Sequence, residues 1–158
     1  MNGEVRVGPA QAEVSVEPVG VIVATGIAST AVLAIFDPET RAGGVVHWIV
    51  PQAPKAQGRV EPSPALAADT AIPWLLGELE QRGAKRESMR ACLVGCASLR
   101  GDSPLDLGRR NRDAAHRLLA DSGIPIAAEA VGGASLRAFR LDLMNGRFEI
   151  EPREEKTA

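Results

Sequence analysis

The chain has 158 residues, 45% of them hydrophobic and 24% charged, with a net charge of −2, a length and balance suited to one soluble domain with a substantial core. Near-neutral charge and only 3% aromatic residues, none of them tyrosine, exclude both a basic groove and a base-stacking platform for nucleic acid. Charges stand where a signal peptide would carry its apolar segment, and no apolar run approaches the roughly 18 residues that span a bilayer, so the expected location is cytoplasmic, without membrane insertion. The two cysteines, Cys92 and Cys96, lie in a strand-like run where four residues span roughly 13 Å, beyond disulfide reach.

The expected unit is a single domain over residues 1–158, with its core at about 14–150 and a frayed tail, EPREEKTA, over 151–158. Alternation at Val14–Val16 and the β-branched run Gly20–Thr25 predict two strands. Thr30–Phe36 and Gly44–Val50 predict a hairpin that is apolar on both faces, hence central in a sandwich. Asp37-Pro38-Glu39-Thr40 between them suits a type I turn. The segment SPALAADTAIPWLLGELEQRG offers two helix starts, Ser63-Pro64 and Asp69. The later start keeps Pro73 out of the helix interior, where it would cost about 3 kcal/mol. Leu75, Leu76 and Leu79 then face inward and Gly83 closes the helix.

Met89–Gly95 predicts a strand, and Arg110–Ser122 a second helix with Ala114, Leu118 and Leu119 inward and Gly123 at its end. Ile124–Val131 and Leu136–Leu143 read as strands, and Asn145-Gly146 predicts a type I′ hairpin into Arg147–Ile150. Strands interrupted by two main helices imply an α+β layered fold with mixed, mostly antiparallel strands.

A four-residue loop over Asp37–Thr40 pairs Phe36 with Arg41 and sets Thr30 directly opposite His47. Opposed residues share a face, with Cβ atoms roughly 5 Å apart, which is nucleophile and base range. A one-residue bulge would separate the faces. His47 can equally be a core histidine satisfied by a backbone carbonyl, and Thr30 a strand former. GRRNRD, with Arg109, Arg110 and Asn111, reads either as a solvated helix start, with Asn111 as a cap, or as a partner contact.

From about Gly20 to Ile150 the order of motifs resembles the CheD family of chemoreceptor glutamine deamidases. GIASTAVLAIFDP stands where the family has L-G-S-C-V and D-P, and AGGVVHWIVP where it has G-G-x-x-H and L-P. LAADTAIPWLLGELEQRGAKRESM resembles the family helix, VGCASL its G-G-A-S-M, LGRRN its I-G-x-R-N, and AVGGASLRAF its D-x-G-G-x-x-x-R. The resemblance implies an α/β/β sandwich and hydrolysis of a receptor glutamine to glutamate, in which a cysteine thiolate attacks the amide and a histidine acts as base. It also implies binding to the cytoplasmic helices of methyl-accepting chemoreceptors and to a CheC-like phosphatase. No cofactor and no metal is expected.

Position by position, the resemblance makes His47 the catalytic histidine, Thr30 a degenerate nucleophile position and Ala24 a degenerate orienting position, where the family has threonine. Ala28 and Cys96 stand where it has glycine. A threonine hydroxyl is a far weaker acid than a thiol, and known threonine nucleophiles use an N-terminal amine that position 30 lacks. The expected protein is therefore a CheD-like member of bacterial chemotaxis signalling with impaired catalysis, a pseudoenzyme that works by binding. The alternative is an active protein-glutamine deamidase with Thr30, or Cys96 as candidate alternative nucleophile, and His47 as base. A third reading is a module that kept the fold and left chemotaxis.

Overall fold

The computed structural model describes residues 3–17, 19–54, 62–98 and 104–152; the predicted tail from residue 153 lies outside them. Among these residues are strands β1 (Glu4–Arg6), β2 (Gln11–Ser15), β3 (Val21–Ile27), β4 (Ala31–Phe36) and β5 (Gly43–Trp48), then helix α1 (Ala68–Gln81) and strand β6 (Arg90–Gly95). Helix α2 (Leu107–Ser122) and strands β7 (Ile126–Val131), β8 (Arg137–Asp142) and β9 (Arg147–Glu151) follow.

The strands form two sheets, ordered β2-β5-β4-β6-β7 and β1-β3-β8-β9. Period-two alternation in β4 divides the core between them. Ala31, Leu33 and Ile35 join Val46 and Trp48 against α1 and α2. Val32, Ala34 and Phe36 join Val45, Ile22, Phe139 and Leu141 between the sheets. The layers are therefore helix, five-stranded sheet and four-stranded sheet, the α/β/β sandwich expected. Every residue of β4 and β5 is buried, as predicted for a central hairpin.

The register of that hairpin differs from the expectation. Phe36 pairs with Gly43 rather than Arg41, and Val32 rather than Thr30 stands directly opposite His47. The connection holds six residues because Asp37 organises it. Its carboxylate accepts hydrogen bonds from the Glu39 amide (2.9 Å), the Thr40 hydroxyl (2.9 Å) and the Lys85 amide (3.2 Å). Arg41 takes a left-handed conformation at φ 65°, and its amide closes back on the Asp37 carbonyl at 2.7 Å. Burial pushes the Asp37 carboxyl up, but hydrogen bonds led by Ser88 outweigh it and hold the group below its ordinary range.

Of the two proposed helix starts, Ser63-Pro64 is used, by a separate short 3-10 turn at Pro64–Leu66 that Ser63 caps. Asp69 is not the cap of α1, which begins at Ala68: it lies within the first turn, and the N-cap is Ala67, without a side-chain cap bond. Pro73 thus lies inside α1; it and Asp69, whose carbonyl it leaves without an intrahelical donor, are both on the exposed side. Helix α2 starts at Leu107, three residues earlier than expected, because Asp106 rather than Asn111 is its cap and accepts from the Arg109 amide at 3.0 Å.

The first strand, β1, pairs in parallel with β3 and lies outside the core limits drawn from sequence. The Asn145-Gly146 hairpin exists, but its loop has four residues, since Asp142 pairs with Arg147. Only Gly146 of the two has positive φ, 68°, so the turn is not type I′. Glycine is needed there, since a Cβ would lie 2.3 Å from the Phe36 ring. Gly146→Ala should lower stability by about 1–3 kcal/mol, through overpacking and a strained backbone, and thermal denaturation should register it. An unchanged melting temperature would refute the contact.

Candidate active site

The site sits where β4 begins and β5 ends. His47 is fully buried in β5, and its neighbour Val32 points into the layer between the sheets. Thr30, half-buried, lies one residue before β4. Its Oγ1 is 2.8 Å from His47 Nε2. The longer loop moves the register by two residues, which preserves parity, so Thr30 meets the imidazole diagonally instead of head-on.

The other ring nitrogen, Nδ1, lies 3.3 Å from the Val7 carbonyl oxygen. A carbonyl can only accept, so Nδ1 carries the proton and Nε2 is left as acceptor for the Thr30 hydroxyl. Burial lowers the pKa of His47, against a smaller raising effect of the Val7 carbonyl, which keeps the ring neutral. A neutral imidazole with its lone pair on a hydroxyl is the arrangement of a general base and its nucleophile.

Ala24 lies in β3, buried in the same layer between the sheets. Its methyl group cannot hydrogen-bond; the orienting bond on Nδ1 comes from the Val7 backbone. The chain around Val7 is itself fixed, with the Val7 amide donating to the Val23 carbonyl (2.8 Å) and the Ala10 amide to the His47 carbonyl (2.8 Å). A backbone acceptor on a short crossing between sheets leaves no side-chain signal in the sequence.

Cys96 adjoins the Thr30 loop through its backbone, but its side chain belongs to the other core layer. Continued alternation from Cys92 and Val94, both between the sheets, would bring Cys96 to the same face. Gly95 at φ 110° and Cys96 at φ 55° break the strand, and the Cys96 side chain enters the helix-side core beside Ala31 and Trp48. Its position where the resemblance has glycine is explained by that left-handed backbone. Desolvation by burial raises the thiols of both Cys92 and Cys96 to about 12, far from the range of a reactive thiolate. The two are free cysteines.

The loop carrying Thr30 is held from several sides. The Cys96 amide donates to the Thr30 carbonyl (2.8 Å) and the Ala97 amide to the Ala28 carbonyl (2.8 Å). A Cβ on Gly95 would lie 2.5 Å from the Thr30 carbonyl oxygen, and one on Gly108 would lie 2.1 Å from that of Ala97, so both glycines permit backbone approaches closed to other residues. Asn111 is not a cap: fully buried, it donates to the carbonyls of Ser29 and Ile49, each at 2.9 Å. Arg109 and Arg110 stay at the helix surface, part-exposed and exposed respectively. No cluster of three or more potential metal ligands occurs among the described residues.

The depressed pKa of His47 carries a pH dependence. Unfolded, the imidazole takes up a proton near its ordinary value of about 6.5, whereas the folded protein resists protonation until lower pH. The unfolded state therefore binds more protons between the two values, and stability is lost as pH falls through that window. His47→Gln should make the fall in stability below pH ~6.5 shallower in denaturant titrations. An identical slope in the variant would mean that His47 is not held neutral.

Comparison with known proteins agrees with this architecture. The family model described as CheD chemotactic sensory transduction matches residues 49–152, a stretch that starts just beyond His47. A probable chemoreceptor glutamine deamidase CheD of Solibacter usitatus is 34% identical over 149 residues, covering 94% of this chain and 88% of its own. A second, from Anaeromyxobacter dehalogenans, is 36% identical over 149 residues, covering 93% of each chain. The chemoreceptor glutamine deamidase CheD of Thermotoga maritima is 32% identical over 131 residues, covering 83% of this chain and 81% of its own. No helix among the described residues is long and apolar enough to cross a membrane. The chain belongs to the CheD chemotactic sensory transduction family.

Proposed function

We propose that this protein is a CheD-type partner of chemoreceptors in which glutamine deamidation is lost or strongly impaired, and which acts by binding. The observation that carries this reading is the Thr30 hydroxyl on His47 Nε2, 2.8 Å away, at the position where the family resemblance places a cysteine. The names of its relatives point to chemoreceptor glutamines as the family's substrate. The binding partners on this reading are the cytoplasmic helices of a methyl-accepting chemoreceptor or a CheC-like phosphatase, and the protein works in the cytoplasm as one domain.

The chemistry supports impairment. Attack on an amide carbon needs an anionic or nearly anionic nucleophile. A thiol beside a histidine supplies one readily, whereas a threonine hydroxyl must surrender a much less acidic proton in the transition state itself. The Thr30 methyl also restricts χ1 and crowds the approach of a substrate carbonyl. Loss of the nucleophile in a group of residues that act together removes most of the chemical rate.

The same 2.8 Å hydrogen bond favours a second reading, in which Thr30 is a slow nucleophile and His47 its base. Its Oγ would bond to the glutamine amide carbon while His47 takes the hydroxyl proton and returns it to the departing ammonia. Water would then hydrolyse the ester to glutamate and free Thr30.

Ammonia release from a receptor fragment bearing the glutamines separates the two. The expected result is a rate no higher than that of His47→Ala, together with retention of the receptor fragment or a CheC-like phosphatase in a pull-down. Turnover that depends on both His47 and Thr30 would replace the first reading by the second. Neither turnover nor binding would place the protein outside chemotaxis.

A further inference from the structure

We infer that Asn111 is a positioning residue for the Thr30–His47 pair: its carboxamide replaces the missing rung between the two strand ends that carry them. The inference rests on reading that pair as the working site, but its geometry stands by itself. The β4–β5 ladder ends at Ala31 opposite Trp48. One step further out, Thr30 and Ile49 would face each other, but β4 has not yet begun and β5 has ended. At that gap Asn111 donates one N–H to the Ser29 carbonyl and the other to the Ile49 carbonyl, each at 2.9 Å.

Both partners are carbonyls, so the amide orientation is fixed: only the NH2 group can face them. The Asn111 Oδ1 is buried with no hydrogen-bond partner among the described residues. A buried acceptor left unsatisfied is costly, and the two donated bonds hold the side chain here against that cost.

The helix is shaped to deliver this side chain. Gly108, Asn111, Ala114, Ala115 and Leu119 form the buried face of α2. Gly108 allows the first turn to rest on the Ala97 carbonyl, whose oxygen would lie 2.1 Å from a Cβ at that position. The Ala97 amide in turn holds Ala28 of the Thr30 loop. The Ser29 carbonyl belongs to the peptide that carries the Thr30 amide, and Ile49 lies two residues after His47. Asn111 thereby sets how far apart the hydroxyl and the imidazole stand, without touching either.

The test reads the site itself and requires no turnover. The ring nitrogens of His47 are followed by 15N NMR in the unmodified protein, in Asn111→Ala and in the milder Asn111→Ser, which retains one donor. His116, on the far part of α2 and paired with Glu129 at 2.8 Å, serves as internal control. The expected result is that Asn111→Ala moves the His47 Nε2 resonance toward that of a nitrogen without a donor and shifts the midpoint of its titration. Asn111→Ser should give a smaller change of the same sign, with His116 unmoved in both. Unchanged His47 resonances in a folded variant would reduce Asn111 to a helix anchor and overturn the inference. So would loss of the fold in both variants, which would assign the residue to the scaffold. Failure of receptor binding or of deamidation leaves this measurement intact, so the two ideas fail separately.

Discussion

A polar ring sits in an apolar layer, and both its nitrogens must be satisfied there. His47 shares the space between the sheets with Val32, Val45, Ile22 and Phe139, where each unpaired nitrogen would cost about 1–3 kcal/mol. The Val7 carbonyl answers one nitrogen and the Thr30 hydroxyl the other. That requirement ties together the crossing between β1 and β2, the turn before β4 and the end of β5. The supports behind them follow: Cys96 on the Thr30 carbonyl, Ala97 on Ala28, and Asn111 on Ser29 and Ile49.

This arrangement explains how the position can carry threonine at all. A hydroxyl satisfies Nε2 as a hydrogen-bond donor, so the fold keeps its buried histidine paired. What the hydroxyl lacks is acidity, which matters to reaction and not to folding. Structural and chemical demands on residue 30 are thus separable, and the threonine meets the first alone. A neutral His47 is consistent with both, since a base must be unprotonated to act and a buried ring is cheapest when uncharged.

The broad architecture was legible because it depends on alternation. Two runs apolar on both faces, Thr30–Phe36 and Gly44–Val50, had to lie in the middle, and the strands they form, Ala31–Phe36 and Gly43–Trp48, do. The pairing of Thr30 with His47 was legible for a more fragile reason. The loop is two residues longer than its Asp-Pro signature suggests, and an even slip leaves every side chain on its own face. Asp37 organises that loop partly through the Lys85 amide, which reaches it from 48 positions away, a contact that local sequence cannot announce. The direction of Cys96 was hidden by the positive φ at Gly95 and Cys96, a backbone event that side-chain periodicity does not encode. Strand β1 was too short and too charged to show any pattern. The Val7 carbonyl has no side-chain signature, whereas Gly108 and Asn111, three apart in LGRRN, share a helical face and could have been read as inward-facing.

The most direct test of the central claim, an intact site that lacks only its reactive group, is the reactivity of a thiol introduced by Thr30→Cys. Its alkylation rate is measured against pH, with the buried Cys92 and Cys96 as slow internal references. If His47 is poised as the structure has it, the new thiol shares its proton with Nε2. It then reacts faster than an ordinary exposed cysteine, with a midpoint below the usual value of about 8.5. A thiol at position 30 that reacts no faster than an ordinary exposed cysteine would contradict the account.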